Sequence, residues 1–177
     1  MVAVFFFISE KELFMTDLFS IPAEARTCAS TRSFIDSLSQ YSEDQLDQLV
    51  NELLNEIEIN VDCRQCGRCC REAYPVVEES DKNALCKAML ISKKKLDEDY
   101  LEIDEDGNQV FRTQPCPLLR GSQCSAYEYR MKGCKEYPHL RQSNFSQRSE
   151  LHQYNYSRCP QVYHLIEALK VHFLIES

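Results

Sequence analysis

Four cysteines fall within eight residues of this chain, in the segment Cys63-Arg-Gln-Cys66-Gly-Arg-Cys69-Cys70. A tight Cys-x2-Cys turn points both thiols inward, so that two sulfurs can bind one ion. Four more cysteines follow at long intervals: Cys116, Cys124, Cys134 and Cys159. Two of them, Cys116 and Cys159, stand directly before proline. We therefore expect metal binding by these thiols to tie distant parts of the chain to one centre.

The first residues of the chain do not resemble a targeting segment. Val2–Ile8 is an apolar run of seven residues with no basic residue before it, and Glu10 follows closely. A secretory signal needs a positive start and a longer apolar region, and a membrane helix needs about 20 apolar residues. Met15 is an alternative start. We predict a cytoplasmic protein without a membrane span, whose thiols stay reduced and act as metal ligands. A secreted disulfide scaffold is the alternative, and it would need a signal peptide.

Charge is distributed unevenly along the chain. The formal net charge of −8 argues against broad binding of nucleic acid, and acidic residues dominate positions 41–60 and 97–106. With four glycines in total, a glycine-rich phosphate cradle is excluded. Basic residues instead accompany the cysteines, and four of them are expected to offset thiolate charge: Arg64, Arg68, Arg71 and Arg130. An anionic substrate site beside the metal is the second interpretation of this pattern.

Two amphipathic helices are predicted outside the cysteine region. Ser42-Glu-Asp-Gln45 is typical of a capping box and predicts a helix over 42–58 within an N-terminal segment, residues 1–60. Its apolar stripe consists of Leu46, Leu49, Val50, Leu53, Leu54 and Ile57. Pro160 is a favourable first residue for a C-terminal helix over 161–177. The buried face of that helix is predicted to contain Val162, Leu165, Ile166, Leu169 and Phe173.

The remaining segments predict a mixed fold. A helix is expected from Ser30 through Leu38, and another over 80–91 with Ser80 as its cap. Residues 100–103 and 109–112 flank an Asp-Gly turn, which predicts a β-hairpin. Residues 113–160 have loop-like sequence. We predict an α+β class that is mainly helical: a small, irregular, metal-centred domain over 61–160 with flanking helices and one hairpin.

The cysteine spacing leaves the metal open between zinc and iron. Eight thiols divide into two four-ligand sites without an open position, which is typical of structural zinc, and adjacent Cys69 and Cys70 project in different directions. Alternatively, Cys63-x2-Cys66-x2-Cys69 matches part of a bacterial ferredoxin loop, whose remote fourth ligand precedes proline. Cys116-Pro117 and Cys159-Pro160 are both candidates for that ligand, and Cys70 breaks the ferredoxin spacing.

Four other residues are of a type that could take part in metal binding. His139 and His152 lie near the cysteines in sequence, and either could replace a thiol. Cys86 stands among Ala84, Leu85 and Ala88, and is expected to be a small core residue. Cys28 is isolated, and nothing in its neighbourhood predicts a role.

Taken together, these residues resemble the YkgJ-type cysteine-cluster family, which is named for Cys-x2-Cys-x2-Cys-Cys. The second signature of that family is similar to Cys116-Pro-Leu-Leu, Cys124-Ser-Ala-Tyr127-Glu-Tyr-Arg130-Met131, Cys134-Lys-Glu-Tyr137-Pro and Cys159-Pro. Met131 stands where the family usually has proline, which removes a fixed φ but no ligand. The resemblance implies chelation of zinc or iron by the eight cysteines, with Tyr127 and Tyr137 packed around them.

We therefore predict a cytoplasmic metal-binding protein with a structural, regulatory or metal-handling role. Its cofactor is zinc or iron, and its partner is the metal ion, without nucleic acid or membrane. The alternative is an iron–sulfur enzyme with redox or group-transfer activity. Neither prediction assigns a catalytic residue.

Overall fold

Two hydrophobic cores, one at each side of the first cysteine loop, organise the chain. The computed structural model describes residues 18–26 and 28–175. The apolar run Val2–Ile8 and the alternative start Met15 lie outside the described residues. No helix within the described part of the chain is long and apolar enough to cross a membrane.

Helices form most of the structure. The α-helices are α1 (Ala29–Ser37), α2 (Glu43–Asn60), α3 (Cys63–Cys66), α4 (Cys69–Glu72), α5 (Glu79–Met89), α6 (Lys93–Lys95), α7 (Lys132–Glu136), α8 (Ser149–Tyr156) and α9 (Pro160–Ile175). Short turns of 3-10 helix cover Ala23–Arg26, Leu38–Gln40, Tyr127–Tyr129 and Phe145–Arg148, and a π-helical turn covers Leu96–Tyr100. The strands are β1 (Leu101–Ile103), β2 (Gln109–Phe111), β3 (Leu119–Arg120) and β4 (Gln123–Cys124). The predicted class, mainly helical α+β, is confirmed.

The first core packs α2 against α9, with α1 and α8 alongside. Leu46, Val50 and Leu54 on α2 are buried, as the apolar stripe predicts. On α9 the residues at Val162, Leu165, Ile166 and Leu169 are fully buried, while Phe173 is half-buried against the same core. Each such side chain contributes roughly 1.5–3 kcal/mol through its burial, so this core fixes the position of Cys159 immediately before α9.

The start of α2 differs from its prediction in one respect. Ser42 occupies the N-cap, but its hydroxyl forms no capping hydrogen bond. A carboxylate near the start of α2 instead forms hydrogen bonds with a distant loop. Asp47 accepts hydrogen bonds from the backbone N–H groups of Asn144 and Phe145, at 2.7 and 2.9 Å. The backbone N–H groups of that loop are not paired in a sheet or a helix and need acceptors, which Asp47 provides. The first turns of α2 therefore make tertiary contacts in place of the expected capping box.

The second core surrounds Leu85, Leu96 and Phe111, and Cys86 packs against it as expected. Here the predicted cap Ser80 is wrong, because the N-cap of α5 is Glu78. A reciprocal capping box joins the backbone and side chains of Glu78 and Asp81. Carboxylates at this end of a helix also interact favourably with its positive end.

The predicted hairpin is confirmed, with β1 antiparallel to β2 and Leu101 opposite Phe111. Asp104 shapes its turn, since its carboxylate accepts the N–H groups of Asp106 and Asn108. A second, shorter pair, β3 and β4, was not predicted.

Residues 113–160 are not the loop that the sequence predicted, because they also contain α7 and α8. The buried residues of α8 are His152, Asn155 and Tyr156, so this helix has no apolar stripe to reveal it in the sequence. The division of the chain at residues 60 and 160 stays a prediction.

Candidate metal centre

The first cysteine loop consists of two single turns of helix joined at a glycine. The carboxylate of Asp62 caps α3 by accepting the N–H of Arg64 at 2.8 Å. Gly67 then adopts a left-handed backbone with φ of 63°, and a β-carbon there would lie 2.7 Å from the carbonyl oxygen of Ser122. Because glycine alone meets both demands, the chain can turn sharply and begin α4 two residues later.

Hydrogen bonds hold this loop against the segment that carries the later cysteines. Arg71 donates to the carbonyl oxygen of Gly121, in the turn between β3 and β4, at 2.7 Å. It also donates to the carbonyl of Cys66 at 3.2 Å. The N–H of Cys116 donates to the carbonyl of Cys70 at 2.7 Å. These contacts bring cysteines that are about 50 residues apart in sequence into one region.

One set of four thiols joins three cysteines of the first loop to one at the start of α9. This first set consists of Cys63, Cys66, Cys69 and Cys159. Burial and then the Cys66 thiol raise the pKa of Cys63 to about 11, although Cys63 keeps solvent contact on its outer side. Burial raises the pKa of Cys159 to about 12, and Cys63 and Cys66 add to that increase. Cys63 also raises the pKa of Cys69, so electrostatic interactions link each of the other three thiols to Cys63.

A second set combines the remaining cysteine of the loop with the three from residues 116–134. Its members are Cys70, Cys116, Cys124 and Cys134. Burial raises the pKa of Cys134 to about 12, with further increases from Cys70, Cys116 and Cys124. Burial likewise raises the pKa of Cys116 to about 11, and Cys70 and Cys124 contribute. β4 positions Cys124 and α7 positions Cys134, so the unpredicted elements supply half of this set.

Cys69 and Cys70 place the two sets side by side. A hydrogen bond between their thiols raises the pKa of Cys69 and lowers that of Cys70, so Cys70 ionises first. Arg71 favours the same thiolate. Cys134, a member of the second set, also raises the pKa of Cys69. Cys70 in turn raises the pKa of Cys66 in the first set, so the two sets adjoin at this pair of residues.

The thiols are suited to a metal but are not arranged as a preformed ligand shell. Among residues 18–26 and 28–175, no group of three or more His, Cys, Asp or Glu side chains has the geometry of a metal site. The raised pKa values mean that these thiols hold their protons at neutral pH when no cation is near. A cation reverses the balance by stabilising thiolates. Sulfur ligands in groups of four fit both zinc and iron–sulfur clusters.

Burial raises the pKa of most of these thiols, and four arginines partly counteract it: Arg68, Arg71, Arg120 and Arg130. Arg130 acts on both sets, since it lowers the pKa of Cys63 and of Cys134. Arg64 differs from its prediction, because its guanidinium lies 2.6 Å from the carboxylate of Asp62. Arg120 was not predicted, as its own sequence neighbourhood contains no cysteine within three residues.

The two predicted tyrosines contact the site in different ways. Tyr137 lies beside the first set: burial and then Cys159 and Cys69 raise its pKa, and it hydrogen bonds to the Cys159 thiol. Tyr127 supports Arg130, whose guanidinium carbon lies 3.9 Å from the ring centroid. Tyr137 therefore touches ligand candidates directly, whereas Tyr127 acts through a cation.

The histidines do not join either set. The His152 ring stacks on Phe145 at 3.9 Å between centroids, and its Nε2 lies 3.0 Å from the carbonyl of that residue. Burial lowers the pKa of His152 to about 4, so the ring is a neutral core group. His139 hydrogen bonds through Nδ1 to Gln142 at 3.1 Å.

One polar residue beside the first set was missed entirely. Asn155 is 1% exposed. Its Oδ1 accepts a hydrogen bond from the hydroxyl of Tyr137 at 3.2 Å, and its carbonyl accepts the N–H of Cys159 at 2.8 Å. Its Nδ2 has no partner. The only signal available in the sequence was its position four residues before Cys159, which is too common a spacing to be informative.

Comparison with known proteins gives one match. The model of the CxxCxxCC family, described as "Putative zinc- or iron-chelating domain", matches residues 62–160, which is more than half of the chain. No curated protein and no solved structure matches.

Proposed function

Since this chain belongs to the CxxCxxCC family of zinc- or iron-chelating domains, we propose that it holds metal in two four-cysteine sites. The first site would use Cys63, Cys66, Cys69 and Cys159. The second would use Cys70, Cys116, Cys124 and Cys134. The observation that carries the proposal is which thiols act on the two most remote ones: Cys63 and Cys66 raise the pKa of Cys159, whereas Cys70, Cys116 and Cys124 raise that of Cys134.

The fold of the first loop supports this division. α3 supplies two ligands to the first site, and α4 begins with one ligand for each site. The remote ligands come from different cores, because Cys159 belongs to the first core and Cys116 to the second. Four protein thiolates leave no open position on a tetrahedral ion.

The role supported best by this arrangement is structural. Both sites share the short loop from Cys63 to Cys70, so bound metal would join the two cores through that loop. The free energy of metal binding would then contribute to folding. Arg68, Arg71, Arg120 and Arg130 would reduce the negative charge of the thiolates. Sulfur ligation of this kind fits a reducing compartment such as the cytoplasm, with the metal ion as the partner.

A specific observation favours iron at the first site as the second candidate. Cys63, Cys66 and Cys69 have ferredoxin-type spacing, and the fourth ligand of such a loop precedes proline. Of the two Cys-Pro candidates, Cys159 has its pKa raised by Cys63 and Cys66, whereas Cys116 has its pKa raised by Cys70 and Cys124. An iron–sulfur cluster at the first site would supply electron transfer or related chemistry when bound. The protein would then be an enzyme or an electron carrier.

Purification under anaerobic conditions, followed by metal analysis and absorption spectroscopy, tests this proposal. Structural zinc predicts a colourless protein with two zinc ions per chain. Iron at the first site predicts a brown protein that contains sulfide and has broad visible absorption. The second site would still hold its own metal. A stably folded protein that carries no metal and has eight freely titratable thiols would refute metal binding altogether.

A further inference from the structure

An open cleft lies beside the first set and is separate from the eight thiols. Its volume is about 580 Å³, within the range of sites that bind small molecules. The N-terminal turn before α1, α1 itself and α8 form its walls, with contributions from Arg26, Arg32, Tyr154 and Arg158. The size and the position between three elements make it a candidate binding site.

The charge of this cleft is opposite to that of the chain. Three arginines line it, at Arg26, Arg32 and Arg158, against two carboxylates at Glu72 and Glu150. Although these arginines and glutamates line the same cleft, none of the five side chains forms a salt bridge within the described residues. In a protein of net charge −8, a locally positive cleft selects for anions.

One of these arginines is held in place. The guanidinium carbon of Arg158 lies 3.9 Å from the ring centroid of Tyr154, and its Nη1 donates to the carbonyl of Tyr154 at 2.8 Å. A guanidinium stacked in this way keeps its remaining N–H groups available in a fixed fork, which suits the two oxygens of a carboxylate or a phosphate.

A smaller cavity adjoins the cleft and reaches the first set at Cys69. Its volume is about 30 Å³, and it shares Glu72, Tyr154 and Arg158 with the cleft. Arg68, Cys69, Ala73, Tyr137 and Asn155 complete its lining. Asn155 contributes the buried amide nitrogen that has no hydrogen-bond partner.

A buried donor without a partner is unfavourable. Tyr137 already occupies the oxygen of the same amide, so the nitrogen remains for a group that enters the cavity. The cavity has room for about one oxygen-sized group. An acceptor oxygen there would lie between Asn155 and the arginines Arg68 and Arg158.

We propose that this cleft binds a small organic anion through a carboxylate or phosphate group. One anionic oxygen accepts from Asn155 Nδ2 in the smaller cavity, and Arg158 binds the same group. The rest of the molecule lies in the wider cleft against Arg26 and Arg32. This site does not depend on which metal the chain holds, but it brings the ligand next to Cys69.

The test is a titration of the zinc-loaded full chain, labelled with ¹⁵N and followed by NMR. The probes are succinate and inorganic phosphate, with glycerol as a neutral control. We expect the side-chain amide signal of Asn155 to shift in a saturable way with at least one anion and not with glycerol. A shift with succinate alone assigns a carboxylate ligand, and a shift with phosphate alone assigns a phosphorylated one.

Matched variants give the second arm. Arg158→Gln should weaken anion binding at least five-fold. Lys87→Gln removes the same charge from an exposed position of α5 and should change anion binding less than two-fold. Because Arg158 is next to Cys159, the pair Arg26→Gln and Arg32→Gln provides an independent variant, also expected to weaken binding at least five-fold. Alkylation of Cys28, which lines the cleft, gives a readout that works with iron as well, since bound anion should slow it.

The outcomes separate this inference from the metal proposal. Folded, metal-loaded protein whose Asn155 signal and Cys28 alkylation respond to neither anion overturns the anion site and leaves the metal sites intact. Equal weakening by Arg158→Gln and Lys87→Gln also overturns it, because the effect would then be general charge screening. Protein that binds anions but no metal contradicts the metal proposal alone.

Discussion

At the scale of single residues, the two thiol sets differ from ordinary core cysteines through their mutual electrostatics. Burial raises the pKa of Cys63 and Cys116 to about 11 and of Cys134 to about 12. At neutral pH these groups carry protons until a cation displaces them, so metal binding releases protons and weakens as pH falls. The distinctive spacing of the eight cysteines is what singles them out in the sequence, and their role as ligands stays a prediction. The sequence could not predict Arg120 or Asn155, which approach the thiols only through the fold.

Cys28 differs from most of these thiols because its pKa is lowered rather than raised, and this difference leads to a prediction. Ser30 and Thr31 hydroxyls lie 3.1 Å from its sulfur, and they lower its pKa to about 7 by stabilising the thiolate. The rate of its alkylation by iodoacetamide should therefore rise with pH with a midpoint near 7, as measured by mass spectrometry. Ser30→Ala should move the midpoint to higher pH.

The matched control is Ser33→Ala, since that hydroxyl bonds the carbonyl of Ala29 in the same helix and not the thiol. The midpoint should stay unchanged in this variant. A midpoint close to 9 in the unmodified protein would contradict the assignment.

At the scale of elements, long amphipathic segments were predictable and short ones were not. The stripe of α2 and the buried face of α9 follow a helical period, which is the strongest local signal. The cap of α5 at Glu78 and the whole of α8 depend on tertiary partners, so local patterns misplaced the first and missed the second. Two further short elements that were not predicted, β4 and α7, position Cys124 and Cys134.

The turn at Gly67 is predicted to be indispensable for the loop. Gly67→Ala should destabilise the protein by at least the roughly 1–2 kcal/mol of a left-handed alanine, because its β-carbon would also meet Ser122. Metal content should fall at both sites, as measured together with thermal unfolding. Gly133→Ala in α7 meets nothing within 4 Å and should be neutral or slightly stabilising. Equal effects of the two substitutions would contradict this account.

Asp81 is predicted to link α5 to the second set. Its carboxylate accepts the N–H of Glu78 in the capping box and the N–H of Lys132 at the start of α7, each at 3.0 Å. Asp81→Ala should cost about 0.5–2 kcal/mol in urea unfolding. In competition with a chelator it should also release metal from the second site before the first.

Ser80→Ala tests the corrected cap directly. Since Ser80 does not cap α5, this substitution should change the free energy of unfolding by less than about 0.5 kcal/mol. A loss as large as that of Asp81→Ala would restore the serine as the functional cap.

At the scale of the whole molecule, two cores are joined through one cysteine loop. The loop lies between α2, which belongs to the first core, and α5, which belongs to the second. The sequence predicted a metal-centred fold with flanking helices. It could not predict how eight thiols divide, because that depends on where α4 points its first two side chains and on which core holds each remote cysteine.

The most direct test of the central claim is metal content per chain in paired cysteine variants. Cys159→Ser should lose the metal of the first site only, and Cys134→Ser that of the second only, while Cys86→Ser keeps both. Combining Cys63→Ser with Cys159→Ser should remove no more metal than Cys159→Ser alone. Combining Cys134→Ser with Cys159→Ser should remove all of it. If the last combination loses no more metal than either single variant, the eight cysteines form one centre and the two-site account is wrong.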